Sequence, residues 1–252
     1  MPQISVAGHS LETLWIEGKE PTLVFLHEGL GSIRQWRDFP AQVARATGCR
    51  ALVYDRYGYG NSDVLLEDRV GTDFMHREAL QFLPAVLKQT KIENPILVGH
   101  SDGASIALIY AGTHPVRGVA VMAPHVFIED ICVSSIQKAA REFETSGLRQ
   151  GLAKYHRDAR KTFHLWADAW LDPAFPRWNI EEYLPRIQCP LLAIQGEDDE
   201  YGTMAQLDAI ARRAGGPCEL LKLPGCGHSP HKDQPEEVLK AISNFISKIL
   251  KT

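Results

Sequence analysis

The segment that most constrains the fold of this 252-residue chain is VGHSDGA, at residues 98–104. It contains the pattern G-x-S-x-G, in which Gly99 and Gly103 flank Ser101. An apolar run leads into the pattern and a helix-compatible run leads out of it. A strand, a tight turn and a helix in this order form a nucleophile elbow, which holds the serine exposed at the end of the strand. The segment therefore predicts a reactive hydroxyl at the N-terminus of a helix.

A serine hydroxyl is a weak nucleophile unless a neighbouring base removes its proton. The elbow therefore requires a histidine, and an acid that orients the histidine ring, elsewhere in the chain. Asp198 and Asp199 follow an apolar run at residues 190–194, which is predicted to be a buried strand. His228 lies further on, in a glycine-bracketed loop. We predict a catalytic triad of Ser101, His228 and one of these two aspartates.

Predicted strands alternate with predicted helices along most of the chain. Two short strands at the start, 3–7 and 12–16, are expected to form a hairpin. This alternation is typical of a mostly parallel sheet covered by helices on both faces. The other predicted strands are 22–26, 51–54, 96–98, 118–122, 191–194 and 219–223. The predicted helices are 39–47, 73–89, 102–113, 203–214 and 235–250.

The alternation is interrupted between residues 125 and 188, a segment too long for a bare loop. The segment is rich in aromatic residues, and its acidic and basic residues balance, which favours an apolar pocket over a charged one. We predict a core made of residues 1–124 and 189–252, with a helical insertion of residues 125–188. The helices predicted in this insertion are 134–145, 147–161 and 162–169.

Five motifs resemble those of the α/β-hydrolase superfamily, in the order and spacing of that family. Together they cover nearly the whole chain, and the combination resembles bacterial esterases and aromatic-pathway hydrolases that carry a helical lid. The motifs are LHEGLGS at 26–32, YDRYGYGNSD at 54–63, GHSDGA at 99–104, GEDD at 196–199 and GCGHSP at 225–230.

This resemblance implies an α/β-hydrolase fold, with a mostly parallel eight-stranded sheet, helices on both faces and a lid formed by the insertion. The G-x-x-D pattern of the family's acid turn selects Asp199 rather than Asp198 as the triad acid. The alignment with the family's oxyanion loop implies that the backbone N–H groups of Gly29 and Asp102 hold the oxyanion. The carboxylate of Asp102 is then expected to act only as a charge at a helix N-terminus.

Glu28 stands where the family usually has glycine. A carboxylate that pointed at the oxyanion would oppose the developing negative charge, so we expect the side chain to turn away and pair with Arg34 or Arg56. A role in positioning substrate or water is the alternative. The residues predicted to line the substrate pocket are Glu28, His125, Trp166 and Trp170.

Composition excludes several classes of function. The formal net charge of −4, without a basic stripe, argues against a nucleic-acid partner, because phosphate binding favours a basic surface. No apolar run approaches the ~20 residues that a membrane span requires, and the first residues lack the pattern of a signal peptide. Five cysteines at scattered positions favour free thiols in a reducing compartment, so we expect a cytoplasmic protein.

Cys226, His228, His231 and Asp233 lie close together in the sequence and could suggest a metal site. A zinc site usually requires at least three well-placed ligands at a recognised spacing. Because Ser101 already requires His228, we expect no metal here, and the proposed chemistry requires no cofactor.

These patterns favour a serine hydrolase, above all a carboxylesterase acting on small to medium, partly apolar carboxylic esters. The alternatives are hydrolysis of a carbon–carbon bond in a ring-cleavage product, which the same triad supports in resembling enzymes, and a thioesterase or lactonase activity. Outside enzymes, the alternative is a ligand receptor on the same fold. A triad does not define specificity, so the expected partner is a small-molecule ester or related acyl compound. The choice between monomer and homodimer stays open.

Overall fold

The computed structural model describes residues 1–251, and within them eight strands form one sheet. The strands are β1 (Gln3–Val6), β2 (His9–Ile16), β3 (Lys19–Leu26), β4 (Cys49–Tyr54), β5 (Ile96–His100), β6 (Gly118–Met122), β7 (Leu191–Gly196) and β8 (Cys218–Leu223). Their order across the sheet is β1-β2-β4-β3-β5-β6-β7-β8. Strand β2 pairs antiparallel with both its neighbours, and all other pairs are parallel. The prediction of a mostly parallel, eight-stranded sheet is confirmed.

Ten α-helices accompany the sheet in this described part of the chain. They are α1 (Phe39–Thr47), α2 (Phe74–Arg77), α3 (Leu83–Thr90), α4 (Asp102–Ala111), α5 (Asp130–Glu142), α6 (Leu148–Leu152), α7 (Ala159–Trp170), α8 (Ala205–Arg213), α9 (Pro230–Asp233) and α10 (Pro235–Ile249). Helix α1 has the predicted bounds. The single helix predicted over 73–89 is instead α2, a π-helical turn at Glu78–Phe82 and α3. None of the helices within residues 1–251 combines the length and the apolarity that crossing a bilayer requires.

The sheet separates two apolar cores. Alternate residues of a strand point to opposite faces, and in β3 the pair Leu23 and Phe25 joins one core while Val24 and Leu26 join the other. Side chains of α1 and α10 complete the first core, and side chains of α3, α4 and α8 complete the second. Helices therefore cover both faces, as predicted, and the central strands are fully buried.

The insertion between β6 and β7 is helical. Helices α5 and α7 overlap the helices predicted over 134–145 and 162–169, with ends shifted by a few residues, but the remaining predicted helix was wrong. A helix was expected over 147–161, whereas α6 ends at Leu152 and α7 begins at Ala159. The intervening chain leaves the helical path because its backbone bonds elsewhere: the N–H of Arg157 donates to the carbonyl oxygen of Gly60 at 3.0 Å. Asp158 then starts the next helix, since its carboxylate accepts from the N–H of Lys161 at 2.9 Å.

Candidate active site

The serine at the elbow has a strained backbone. Ser101 joins β5 to α4 with φ 54° and ψ −120°, a conformation that residues other than glycine rarely adopt. Its N–H donates to the carbonyl oxygen of Met122 on β6 at 2.9 Å, which holds the turn in place. A side chain on Gly99 would collide with the carbonyl oxygen of Gly103, and a side chain on Gly103 would collide with that of Leu26. Close backbone packing therefore requires both glycines of the motif.

Three of the predicted residues form a continuous hydrogen-bonded chain. His228 Nε2 lies 2.9 Å from Ser101 Oγ, and His228 Nδ1 lies 2.8 Å from Asp199 Oδ1. With its proton on Nδ1, the neutral imidazole donates to Asp199 and accepts from the serine hydroxyl. Asp198, the alternative acid, is exposed, whereas Asp199 is buried. The arrangement can therefore pass the serine proton to the histidine.

Two further contacts hold the acid in place. The N–H of Tyr201 donates to Asp199 Oδ1 at 2.8 Å, and Gln195 Nε2 donates to Asp199 Oδ2 at 3.3 Å. The tyrosine ring also packs against the ring of His228 at a tilt of 50°, with 4.6 Å between the ring centroids. Neither Tyr201 nor Gln195 was predicted from the sequence. Their closeness to the acid turn, at the end of β7, was the one signal that could have indicated them.

The environments of the histidine and the acid shift their pKa values in opposite directions. Burial disfavours the imidazolium form of His228, but the hydrogen bond to Asp199 and its negative charge outweigh burial and raise the pKa of His228. Burial also disfavours the carboxylate form of Asp199, but the hydrogen bond and charge of His228 outweigh it and lower the pKa of Asp199. The pair therefore stabilises an imidazolium next to a carboxylate, the charge state that forms after proton transfer from a serine.

The two predicted oxyanion donors lie beside the elbow. Asp102 is the first residue of α4, and N–H groups in the first turn of a helix have no acceptor within the helix. Gly29, in the loop after β3, has no room for a side chain. A Cβ there would collide with Trp166 Nε1 and would lie 2.9 Å from Asp102 Oδ2. The loop, the elbow and helix α7 therefore meet closely at this point.

A cavity opens at Ser101 and His228, and helices α5 and α7 of the insertion form one wall of it. All four residues that were predicted to line a pocket lie on it, together with four residues that the sequence did not indicate. The lining residues are Glu28, Gly29, Leu30, Ser101, Asp102, His125, Cys132, Ile136, Trp166, Trp170, Tyr201 and His228. Cys132 and Ile136 reach the cavity from α5, where no motif marks them.

The prediction that Glu28 pairs with Arg34 or Arg56 was wrong. Its carboxylate lies 3.1 Å from Lys232 Nζ and 3.8 Å from His100 Nδ1, not beside Arg34 or Arg56. Arg34 donates to a backbone carbonyl of the insertion instead, and Arg56 donates to the backbone oxygen of Glu28. Burial opposes ionisation of Glu28, but His100 and Lys232 outweigh it and lower its pKa to about 2. The carboxylate is therefore charged and paired with Lys232, and Glu28 still lines the cavity.

His125 and Trp170 also line the cavity. Their rings meet edge to face at 5.2 Å, and both residues are buried. Burial, with the neighbouring charge of His228, lowers the pKa of His125 to about 3. His125 is therefore neutral at physiological pH and presents an uncharged wall to a ligand.

The residues that could have suggested a metal site have other partners. His231 packs against the ring of Trp36 at 4.9 Å, and Asp233 accepts from the N–H of Gly227 at 3.0 Å. Within residues 1–251, no three or more His, Cys, Asp or Glu side chains are grouped so as to hold a metal ion. All five cysteines are free thiols.

Comparison with protein families agrees with this architecture. Residues 23–241 match the family model described as the alpha/beta hydrolase family. This match covers most of the chain, and the chain therefore belongs to the α/β hydrolase family. The resemblance predicted from the five motifs is confirmed.

Three known proteins illustrate the range of relatives. Human serine hydrolase BPHL is 28% identical over 203 residues, which cover 77% of this chain and 68% of BPHL. A proline iminopeptidase from Lactobacillus delbrueckii subsp. bulgaricus is 23% identical over 267 residues, and the match covers 89% of each of the two chains. The crystal structure of the enol-lactonase from Burkholderia xenovorans LB400 superposes with a TM-score of 0.79 at 18% identity, covering 98% of this chain and 100% of the lactonase. The last likeness concerns the fold alone.

Proposed function

We propose that this protein is a serine hydrolase that cleaves carboxylic esters through an acyl-enzyme. The observation that carries the proposal is the chain of hydrogen bonds from Asp199 through His228 to Ser101, which ends at a cavity. A strained serine that contacts a neutral imidazole, oriented in turn by a buried carboxylate, is the geometry that nucleophilic catalysis requires.

The proposed reaction has two halves. His228 removes the proton of Ser101 as the oxygen attacks the ester carbonyl carbon, and Asp199 stabilises the imidazolium that forms. The N–H groups of Gly29 and Asp102 hold the oxyanion, and removing one such donor typically lowers kcat by ~10²–10³-fold. The imidazolium then protonates the leaving alcohol. In the second half, His228 activates water, which attacks the acyl-enzyme and releases the acid and the free serine.

The cavity walls support an acyl group that is partly apolar. Trp166, Trp170 and Ile136 face the space next to Ser101, and His125 on the same wall is neutral. We further propose that residues 125–188 act as a lid over a core of residues 1–124 and 189–252. Helices α5 and α7 of this lid contribute the apolar wall.

A substrate panel tests the class of bond that is cleaved. 4-Nitrophenyl esters, acyl thioesters, lactones, a vinylogous dienoate and a proline anilide are offered at equal concentrations. The proposal expects the highest kcat/KM with esters. A preference for the thioester, the lactone, the carbon–carbon bond or the anilide would replace it with the corresponding alternative. Turnover of none of them, with tight binding of one, would favour a ligand receptor.

The acyl pocket predicts a dependence on chain length. Burial of each methylene contributes ~0.8 kcal/mol, so kcat/KM should rise about fourfold per methylene from acetyl to butyryl esters before the pocket is filled. The Trp170→Ala variant should flatten this series, whereas Trp15→Ala, on β2 and away from the cavity, should leave its slope unchanged. A flat or falling series in the wild-type enzyme would contradict an apolar acyl pocket.

The pH dependence follows from the charge state of His228. Only the neutral ring accepts the serine proton, and its pKa is raised above the ordinary value of ~6.5. We therefore expect kcat/KM to fall as pH decreases through this raised pKa, with the slope of one proton, and to level off above it. Burial raises the pKa of Asp102 to about 6, so the profile is also measured on Asp102→Asn. If the fall of kcat/KM at low pH disappears in Asp102→Asn, the titrating group is not His228.

A further inference from the structure

The carboxyl group of Asp102 is buried at the cavity without an ion-pair partner. The residue is 1% exposed, and neither carboxyl oxygen accepts a hydrogen bond of good geometry within residues 1–251. Burial raises the pKa of Asp102, and contact with the side chain of Trp166, the neighbouring donor, opposes this with a smaller effect. A buried carboxylate with so little compensation is strongly destabilised. The other carboxyl group that lines the cavity, Glu28, already pairs with Lys232. Asp102 is therefore the carboxylate that remains available to a ligand.

The nearby cation does not satisfy this group. Arg56 is buried, and its charge acts on both Asp102 and Glu78, yet it forms no ion pair with either in the described part of the chain. Its Nη2 donates to the carbonyl oxygen of Glu28 at 2.9 Å, and its guanidinium stacks over the ring of Tyr59 at 4.4 Å. One buried cation thus faces two buried carboxyl groups, which leaves a negative charge uncompensated when both are ionised.

The carboxyl group of Asp102 lies close to the place where the acyl part of a substrate would bind. A Cβ on Gly29 would lie 2.9 Å from Asp102 Oδ2, so this oxygen lies next to one proposed oxyanion donor. The same residue supplies the other proposed donor through its N–H. A substituent on the carbon next to the scissile carbonyl would therefore approach Asp102. A negative charge at this place opposes the developing oxyanion unless a cation neutralises it.

We propose that Asp102 binds an ammonium group carried by the acyl part of the substrate, so that the preferred substrates are esters of amino acids or similar amino-acyl compounds. This inference rests on the proposed esterase function and specifies its substrate class. The ammonium donates charge-assisted hydrogen bonds to both oxygens of Asp102 and cancels the charge beside the oxyanion. The apolar side chain of such a substrate contacts Trp166 and Trp170.

A matched pair of esters tests the proposal. The 4-nitrobenzyl esters of L-alanine and of propionic acid share the leaving group and the carbon skeleton and differ in the ammonium group. At pH 7 we expect the wild-type enzyme to favour the alanine ester by about tenfold or more in kcat/KM, because a hydrogen bond to a charged group typically contributes 1.5–3 kcal/mol. Equal rates, or a preference for the propionyl ester, would overturn the proposal without any variant.

The Asp102→Asn variant tests whether this residue is responsible. We expect it to lower the alanine-to-propionyl ratio of kcat/KM by about tenfold or more, and any general loss of activity cancels in this ratio. Asp198→Asn makes the same chemical change at an exposed site outside the cavity and should leave the ratio unchanged. A ratio that Asp102→Asn leaves as in the wild type would contradict the assignment to Asp102.

Covalent labelling separates failure of this inference from failure of the proposed function. If a fluorophosphonate labels Ser101 but the alanine-to-propionyl ratio of kcat/KM is near one, the amino-acyl preference is overturned and the esterase proposal stays intact. Absence of labelling and of hydrolysis overturns both.

Discussion

Replacing Ser101 with alanine should reduce kcat/KM for ester hydrolysis by ~10⁴-fold or more. The substitution removes the proposed nucleophile, and loss of one triad member abolishes most of the catalysis that such a triad provides as a unit. Initial rates with a 4-nitrophenyl ester, measured over a wide range of enzyme concentration, give the value. Retention of a tenth or more of the wild-type activity would exclude Ser101 as the nucleophile.

The fold should survive this change. The only hydrogen bond that Ser101 Oγ makes within residues 1–251 is to His228, and the backbone of the elbow is held by the carbonyl of Met122. The thermal unfolding midpoint of Ser101→Ala should therefore stay close to that of the wild-type protein. Ser146→Ala, at an exposed position of the insertion, is the matched control and should retain full activity.

Replacing Asp199 with asparagine should lower kcat/KM by at least ~100-fold. An asparagine amide can donate to His228 Nδ1, which favours the tautomer with its proton on Nε2, and this tautomer cannot accept the proton of Ser101. Asp198→Asn, one position earlier and exposed, should have little effect. Steady-state kinetics of the two variants rank the carboxylates, and the opposite ranking would show that Asp198 is the acid.

The pH profile of Asp199→Asn distinguishes loss of the His228 orientation from general damage to the fold. The hydrogen bond and negative charge of Asp199 raise the pKa of His228 against the effect of burial. Without that charge the pKa of His228 should fall. The acid limb of the residual activity in Asp199→Asn should therefore shift to lower pH, and an unshifted limb would mean that the two residues are not coupled.

Much of this architecture could be predicted because its signals are local. The strands read as apolar runs bounded by turn residues, and the elbow requires glycines where backbones come into close contact. Gly103, for example, packs directly against the carbonyl of Leu26. Ser101 and His228 were recognisable because the chemistry of one residue demands the other. Motifs of this kind can be recognised in the sequence, even where the residues they mark meet only in the folded protein.

Two of the errors concern contacts between distant parts of the chain. Glu28 pairs with Lys232, 204 positions away, and no local pattern distinguishes this lysine from the closer arginines. The helix predicted over 147–161 is broken because Arg157 bonds to Gly60 in another loop. The lack of an ion pair at Asp102 likewise depends on where the Arg56 side chain points. Such features become visible only when the side chains of separate elements are placed together.

The most direct test of the proposed nucleophile is covalent labelling followed by peptide mapping. The wild-type protein is incubated with a fluorophosphonate, its intact mass is measured, and the modified peptide is sequenced by mass spectrometry. We expect one adduct per chain, located on Ser101, formed slowly in His228→Ala and absent in Ser101→Ala. An unmodified protein, or an adduct on another residue with Ser101 intact, would contradict a serine hydrolase built on this triad.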